Sequence, residues 1–324
     1  MAVEILGSLN VDIILEVDAL PRAGETVLAG GTARMPGGKG ANQAVAAARM
    51  GARTAMAGAV GVDEHGQWMI GLLAQDGIDA SAIRQLPGVP TGTAYIAVDR
   101  SGENQIIVSL GANAAFDRTM LAPPAPDIRV ILAQLETPVP TLLARFASAS
   151  CVRILNTAPA VPDIDALLAL TDVIILNEHE LQSYRSGGPG GRIGAARALL
   201  SREDQVAIVT LGGDGSLAVW PDRHLRVPAF PVSPIDTIGA GDCFCGALAA
   251  MLDDGASIET ALPVASAAAA ICTLSRGAAP AMPDRAAVEA FMHARPAVSP
   301  TEHAQAIKTP ASAGIESGVS EGDR

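Results

Sequence analysis

Two glycine-rich segments carry the residues best suited to chemistry. In the first, Pro36-Gly37-Gly38-Lys39-Gly40-Ala41-Asn42, glycines surround a single cation. Lysine occurs only at Lys39 and Lys308, and arginine supplies every other basic side chain apart from histidine. A compact ammonium that binds hydroxyls or phosphate is not interchangeable with a planar guanidinium, so Lys39 is a candidate ligand-binding cation. A Walker A loop needs Ser or Thr directly after Gly-Lys, and Gly40 stands there instead, which excludes that loop. The plainer reading is a glycine turn that caps a helix. The second segment, Asp236-Thr237-Ile238-Gly239-Ala240-Gly241-Asp242, precedes an apolar helical stretch. Small residues before a helix leave its first amides exposed as an anion site, favoured by the positive end of the helix dipole. Asp242 at the rim of such a site can accept a proton from an attacking hydroxyl, and phosphoryl transfer needs a base and positioned charge more than covalent chemistry. The alternative is that Asp242 only caps the helix.

Three further polar clusters follow apolar runs. Asn177-Glu178-His179-Glu180 has the spacing of a capping box, or else Asn177 and Glu180 organise water around magnesium. Thr210-Leu211-Gly212-Gly213-Asp214-Gly215 lets a flat base or a phosphate approach the backbone. Gly7-Ser8-Leu9-Asn10-Val11-Asp12 is not G-x-G-x-x-G, so a dinucleotide-binding oxidoreductase loses its main support; Asn10 and Asp12 instead offer an amide and a carboxylate to sugar hydroxyls, or form a polar turn. His65, His179, His224, His293 and His303 are scattered and form no H-E-x-x-H zinc motif. Cys151, Cys243, Cys245 and Cys272 have neither zinc spacing nor the density of a disulfide scaffold, and read as reduced core residues.

Something must hold these clusters together, and the apolar pattern indicates what. Runs rich in β-branched residues at Glu4–Leu6, Thr54–Ala57, Val130–Leu135, Val152–Leu155, Val173–Leu176 and Val206–Leu211 alternate with Ala/Leu-rich helical stretches. That rhythm predicts βαβ units around a parallel sheet. Helices are expected at Ala41–Met50, Trp68–Gln75, Gly191–Leu200, Cys243–Leu252 and Ile258–Leu274. The polar residues that stop the runs fall at the carboxyl ends of the strands, where open α/β sheets bind ligands. Two segments break the rhythm as hairpins, Ile13–Val17 with Val27–Ala33 and Ala94–Val98 with Gln105–Ser109, and predict a small accessory sheet or lid near 12–33 and 91–110. One α/β domain is expected over 1–295, and the polar, aperiodic stretch 296–324 is expected to be a disordered tail.

With 324 residues, 49% hydrophobic, 17% charged and only 3% aromatic, the chain is globular and its core must be filled by Ala, Val, Leu and Ile. A net charge of -12 argues against nucleic acid or an anionic membrane as partner, since both demand a basic footprint. No basic n-region opens the chain and no eighteen apolar residues run unbroken, so a soluble cytoplasmic protein is expected.

Taken in order, these segments resemble the PfkB family of carbohydrate kinases, and within it the ribokinases. The resemblance runs through Gly7–Asp12, Pro21 with Gly24-Glu25-Thr26, Pro36–Ala44, Gly61-Val62-Asp63, Gly77-Ile78-Asp79, Thr91–Ala94, Gly102-Glu103-Asn104 and Gly111-Ala112-Asn113. It continues through Leu135–Pro138, Leu155–Ala160, Asn177–Glu180, Thr210–Gly215, Asp236–Asp242 and Gly277-Ala278 before Pro280. It implies a ribokinase-like three-layer α/β fold, a central mainly parallel sheet flanked by helices, with a small β-sheet lid through which a homodimer forms. It implies transfer of the ATP γ-phosphate to the 5-hydroxyl of D-ribose with magnesium (Mg2+), stimulated by potassium (K+).

By matching position, Asn10, Asp12, Gly38, Lys39, Asn42 and Glu136 would hold the sugar. Asp242 would be the base, and the amides of Gly239, Ala240 and Gly241 would form the anion hole. Asn177, Thr210, Gly212, Asp214, Gly215, Gly241 and Ser266 would line the ATP site, while Glu180 is expected, from its own residue chemistry, to hold magnesium through water. Asp236, Ile238, Cys272, Ser275, Gly277 and Ala281 would surround the monovalent ion, mostly through carbonyls. The chain departs from the pattern at Ala281, where Ser is frequent, at Ile238, where Thr is usual, and at Ser266, where Asn is common. The competing readings are a kinase of deoxyribose, a hexose or a nucleoside, and a non-catalytic sugar or nucleotide sensor. The few aromatics in the lid disfavour a nucleoside, and a sensor has no need of Asp242.

Overall fold

The computed structural model describes residues 2–185, 190–295 and 301–304. Strands β1 (Ala2–Leu6), β2 (Asn10–Val17) and β3 (Ala29–Gly37) lead into helix α1 (Lys39–Arg49), followed by β4 (Thr54–Gly61), α2 (Glu64–Gln75), β5 (Asp79–Leu86), β6 (Gly92–Val98) and β7 (Asn104–Ser109). A one-turn α3 (Ala112–Ala115) precedes β8 (Ile128–Gln134), α4 (Val139–Ser148), β9 (Val152–Asn156), α5 (Asp165–Leu170), β10 (Val173–Asn177), α6 (Glu178–Tyr184) and α7 (Gly191–Arg197). Then come β11 (Val206–Thr210), β12 (Ser216–Val219), β13 (Arg223–Val227), α8 (Ala240–Asp253), α9 (Ile258–Cys272), α10 (Arg285–His293) and β14 (Thr301–Ala304).

The large sheet has the order β14-β13-β12-β11-β10-β9-β8-β1-β4-β5, parallel from β11 to β5 and antiparallel from β11 to β14. Its strands are apolar on both faces because helices cover both. In β8, Val130 and Leu132 join one core while Ile131 and Ala133 join the other, as the two-residue period of a strand requires. Val173 and Ile175 of β10 divide from Ile174 and Leu176 in the same way. Helices α1, α2, α8, α9 and α10 contribute to the first core, and α4, α5, α6 and α7 to the second.

Both expected hairpins form, and they join into one small sheet, β3-β2-β6-β7, with β2 and β6 parallel between the antiparallel pairs. The expected tail needs one correction: Thr301–Ala304 pair with β13 as an edge strand, since a short extended segment can complete an open sheet edge without a periodic apolar pattern. The remainder of 296–324 lies outside the described residues. Among the described residues no helix is long and apolar enough to cross a membrane.

Candidate active site

Helices α1 and α8 both begin in the glycine-rich segments, and they pack side by side. Gly246 makes this possible: a Cβ there would lie 2.4 Å from the Gln43 carbonyl oxygen and 2.6 Å from the Ala46 Cβ. At the head of α8, Gly239 is the N-cap with φ 76°, and a Cβ would sit 2.5 Å from that of Ala278, so only glycine fits. Asp242 is therefore the third helical residue, not the cap. Its carboxylate turns towards α1, where Oδ2 accepts from Asn42 Nδ2 and Oδ1 from Gln43 Nε2, both at 2.9 Å. Burial pushes the Asp242 carboxyl above the usual carboxylate range, while the Lys39 ammonium and the two amide hydrogen bonds act against that rise. Such a group is a stronger proton acceptor than a free aspartate.

On the other side of Asp242, towards Glu136, Lys39 Nζ lies 3.9 Å from Glu136 Oε1. Burial works against the ammonium charge, but Asp242, Glu136 and Glu180 outweigh it and hold the Lys39 pKa above its ordinary value. Glu136 is itself fixed by Ser8, whose hydroxyl donates to Oε2 at 2.5 Å. Asp12, at the junction of β2 with the large domain, is pushed up to about 6 by burial and by the negative charges of Glu136 and Asp242. Asn10 Oδ1 accepts from Asn113 Nδ2 at 2.8 Å, which sets the orientation of its amide. Asp12, Lys39, Glu136 and Asp242 thus lie near enough to act on one another's charge, and their donors and acceptors suit a polyhydroxyl ligand.

A pocket of about 150 Å³ lies at the carboxyl ends of β9, β10 and β11, with Lys39, Asn177, Glu180, Thr210, Gly241 and Asp242 in its wall. It adjoins a cleft of about 390 Å³ bounded by Thr210, Gly212, Gly215, Gly241, Phe244 and Ser266, among others. The wall of that cleft is mainly apolar and of a size to take a purine. Within it, the Ser266 hydroxyl is buried and, among the described residues, has no hydrogen-bond partner. A Cβ on Gly241 would meet nothing within 4 Å, so the space in front of α8 is open, and among the described residues no backbone acceptor takes the Gly241 amide. The Ala240 amide makes a long turn bond of 3.3 Å to the Thr237 carbonyl.

The sequence model of the pfkB family carbohydrate kinases matches residues 2–285. The chain belongs to the PfkB family of carbohydrate kinases. It is 35% identical over 290 residues to a ribokinase of Haemophilus influenzae, covering 87% of this chain and 95% of that one. It is 38% identical to a bifunctional ribokinase/ribose-5-phosphate isomerase A of Fructilactobacillus sanfranciscensis over 88% of this chain, but spans only 55% of that longer protein. A deoxyribokinase of Salmonella typhimurium is 33% identical over 86% of this chain and 94% of its own length. Among solved structures, the ribokinase of Thermotoga maritima superposes with a TM-score of 0.85 at 33% identity, covering 90% of this chain and 99% of that one. The ribokinase of Arabidopsis thaliana, solved with ribose and ATP, does so with 0.80 at 29% identity, covering 90% and 98%.

This PfkB kinase brings most of the expected site residues together, with some exceptions. Asp214, expected at the ATP site, is exposed and does not border the 390 Å³ cleft. Asn177 and Glu180 do form the capping box, with Asn177 Oδ1 accepting the Glu180 amide and Glu180 Oε2 accepting the Asn177 amide. They also border the central pocket, so the two readings coexist. A carboxylate has about four acceptor sites, and Glu180 uses one on each oxygen, so it fits a role of holding magnesium through water. Asp236 accepts the amides of Ile238 and Gly277, both at 2.9 Å, and so ties together the two loops expected to surround potassium. The buried thiol of Cys272 is paired with that of Cys243, which leaves only its carbonyl for such an ion. Four partners were not singled out as site residues in the sequence: Ser8, Gln43, Asn113 and Asn156. Each is polar and buried, and each bonds a site residue or, for Asn156, Gln43.

Proposed function

We propose that this PfkB kinase transfers the γ-phosphoryl group of ATP to the 5-hydroxyl of D-ribose, giving D-ribose 5-phosphate and ADP. The observation that carries the reading is the Asp242 carboxylate, held by two amides on the first turn of α8 and next to Lys39. Asn10, Asp12, Lys39 and Glu136 bind the sugar hydroxyls, and Asn42 holds Asp242. Gly38 keeps the backbone close to β2, where a Cβ would lie 2.7 Å from the Asn10 nitrogen. Asp242 takes the proton from the attacking oxygen as the new O–P bond forms and the bond to the β-phosphate oxygen breaks. The amides of Gly239, Ala240 and Gly241 stabilise charge on the transferring group. Thr210, Gly212, Gly215 and Ser266 border the site of the nucleotide base. Magnesium, held through Glu180 and water, would neutralise phosphate charge.

Potassium between the Asp236 and Gly277 loops would fix the aim of the anion hole without touching substrate. A homodimer through the small sheet is supported by β7, whose Ile106, Ile107 and Val108 are 53%, 72% and 49% exposed. A cytoplasmic location agrees with free thiols at all four cysteines.

The deoxyribokinase among the relatives keeps 2-deoxyribose as a second reading. A coupled assay over ribose, 2-deoxyribose, hexoses and nucleosides tests both, with ribose expected to give the highest kcat/KM. In the same assay Asp242→Asn is expected to lower kcat by about a hundredfold or more with sugar affinity retained. Turnover within a few-fold of wild type removes Asp242 from the role of base.

A further inference from the structure

Behind Asp242 lies a chain of buried amides that the reaction itself does not touch. Gln43 sits on α1 with no exposure to solvent, and its Nε2 donates to Asp242 Oδ1 at 2.9 Å and to Asn156 Oδ1 at 3.1 Å. Its Oε1 accepts from Gln134 Nε2 at 2.6 Å, and Gln134 is equally buried at the end of β8. Both Nε2 hydrogens and the carbonyl oxygen of Gln43 are therefore committed. Turning the carboxamide over would set its oxygen against the Asp242 carboxylate and Asn156 Oδ1, and its NH2 against that of Gln134. Only one orientation survives.

A glutamine with no contact to solvent is costly to bury unless every polar atom is paired, and a leucine would fill the space between α1 and β8 without that demand. The backbone is shaped to admit the chain. A Cβ on Gly7 would fall 1.8 Å from Gln134 Oε1, so that side chain exists in its place only because residue 7 is glycine. Gly246 does the same for the helix that carries Gln43.

We infer that Gln43 is a positioning residue for phosphoryl transfer, fixing the plane of the Asp242 carboxylate, with Gln134 locking Gln43 in turn. The inference rests on Asp242 being the base. Asn42 grips one carboxylate oxygen and Gln43 the other, so the group cannot rotate about its Cβ–Cγ bond and a remaining lone pair stays directed at the sugar hydroxyl. Lys39 opposes the effect of burial on this carboxylate, and the nearby Glu136 adds to it. The amides complement Lys39 without placing a second cation in the pocket.

The test is a double-mutant cycle of Gln43→Met with Asp242→Asn, measured as kcat and as KM for ribose and ATP. Methionine preserves volume and removes the hydrogen bonds. Loss of one charge-assisted hydrogen bond predicts a fall in kcat of about tenfold or more, with both KM values within about threefold. In the Asp242→Asn background, Gln43→Met should lower kcat by less than about twofold, because there is no longer a base to orient. A merely structural role would instead add its full loss in both backgrounds, and that outcome overturns the inference, as does a Gln43→Met kcat within about twofold of wild type. If Asp242→Asn is itself nearly as active as wild type, the base assignment fails and the inference with it. If Asp242→Asn collapses while Gln43→Met does not, only the positioning role is lost. Should Gln43→Met not fold, Gln134→Met decides: it frees the Gln43 carboxamide to turn and should lower kcat several-fold at unchanged KM, and a wild-type kcat refutes the role.

Discussion

Asp12 offers the sharpest solution test, because its ionisation should control sugar affinity within an accessible pH range. Its carboxyl is pushed from 3.8 to about 6, first by burial and then by the charges of Glu136 and Asp242, with Lys39 pulling the other way. Gly37 adds to its confinement, since a Cβ there would lie 2.2 Å from Asp12 Oδ1. If ribose hydroxyls donate to this carboxylate, the sugar binds the ionised form, and the apparent Kd scales as one plus the protonated-to-ionised ratio. That factor is about 11 at pH 5, about 2 at pH 6 and about 1 at pH 8. Calorimetric titration of ribose without nucleotide, at fixed ionic strength from pH 5 to 8, separates binding from catalysis. The expected result is a roughly tenfold weakening towards pH 5 with its bend near 6, and a weak, flat profile for Asp12→Asn. A wild-type Kd that stays flat from 5 to 8, or an Asp12→Asn profile with the same bend, refutes the reasoning.

The same displacement has a stability consequence with a definite sign. A carboxyl whose pKa is raised in the folded state binds its proton more tightly there, so its favourable contribution is complete below 3.8 and is lost as pH rises through about 6. Above that range the ionised Asp12 costs the fold up to about 3 kcal/mol, at 1.36 kcal/mol per pKa unit. Asp12→Asn should therefore raise the melting temperature at pH 7.5 by a few degrees while weakening sugar binding, the trade expected where a site is kept charged for a ligand.

Lys39→Arg should weaken apparent ribose affinity although charge is kept, because Lys39 faces Glu136 as a compact ammonium, Nζ 3.9 Å from Oε1, and a larger planar guanidinium does not reproduce that geometry. An unchanged ribose KM would place Lys39 outside the sugar site. Initial rates in potassium, sodium and a bulky organic cation at fixed ionic strength should be highest in potassium, and Asp236→Ala should abolish that difference by releasing the Ile238 and Gly277 amides; equal wild-type rates in all three cations would refute the ion site. Gly246→Ala should cost about 1 to 3 kcal/mol in chemical denaturation, since its Cβ would press on the Gln43 carbonyl oxygen at 2.4 Å and the neighbour is backbone. A loss below about 0.5 kcal/mol would mean that α1 and α8 separate easily.

The sequence made legible what local pattern controls. Apolar runs located the six principal parallel strands, and Pro/Gly-flanked alternation located both hairpins of the small sheet. It did not reveal β5, whose Asp79-Ala80-Ser81-Ala82 start is polar and half exposed, nor α4, whose start after Pro138 carries no side-chain cap. The site divides in the same way. Lys39 and Asp242 stand out because glycines frame them, and Asn177 with Glu180 because a capping box is a local spacing. Gln43 is hidden: a glutamine between Asn42 and Ala44 looks like part of a helix surface until α8 is laid against it, and its partner is 199 positions away. Ser8, Asn113 and Asn156 are hidden for the same reason, since their roles are defined by a neighbour in space.

The close approach of α1 and α8 also decides which residues can lie between them. Amides on α1 reach a carboxylate on α8 at 2.9 Å only if the two helices pack closely, and close packing demands small residues along the shared face. Ala46 and Ala47 on α1 meet Gly246 on α8, where even a methyl group would collide. Where Gly246 meets α1 there is no room for a ring. Small residues bury less apolar area each, so the large sheet with helices on both faces supplies by extent what bulky side chains would supply by size. The small residues along the α1–α8 seam and the alignment of the proposed base follow from the same close approach.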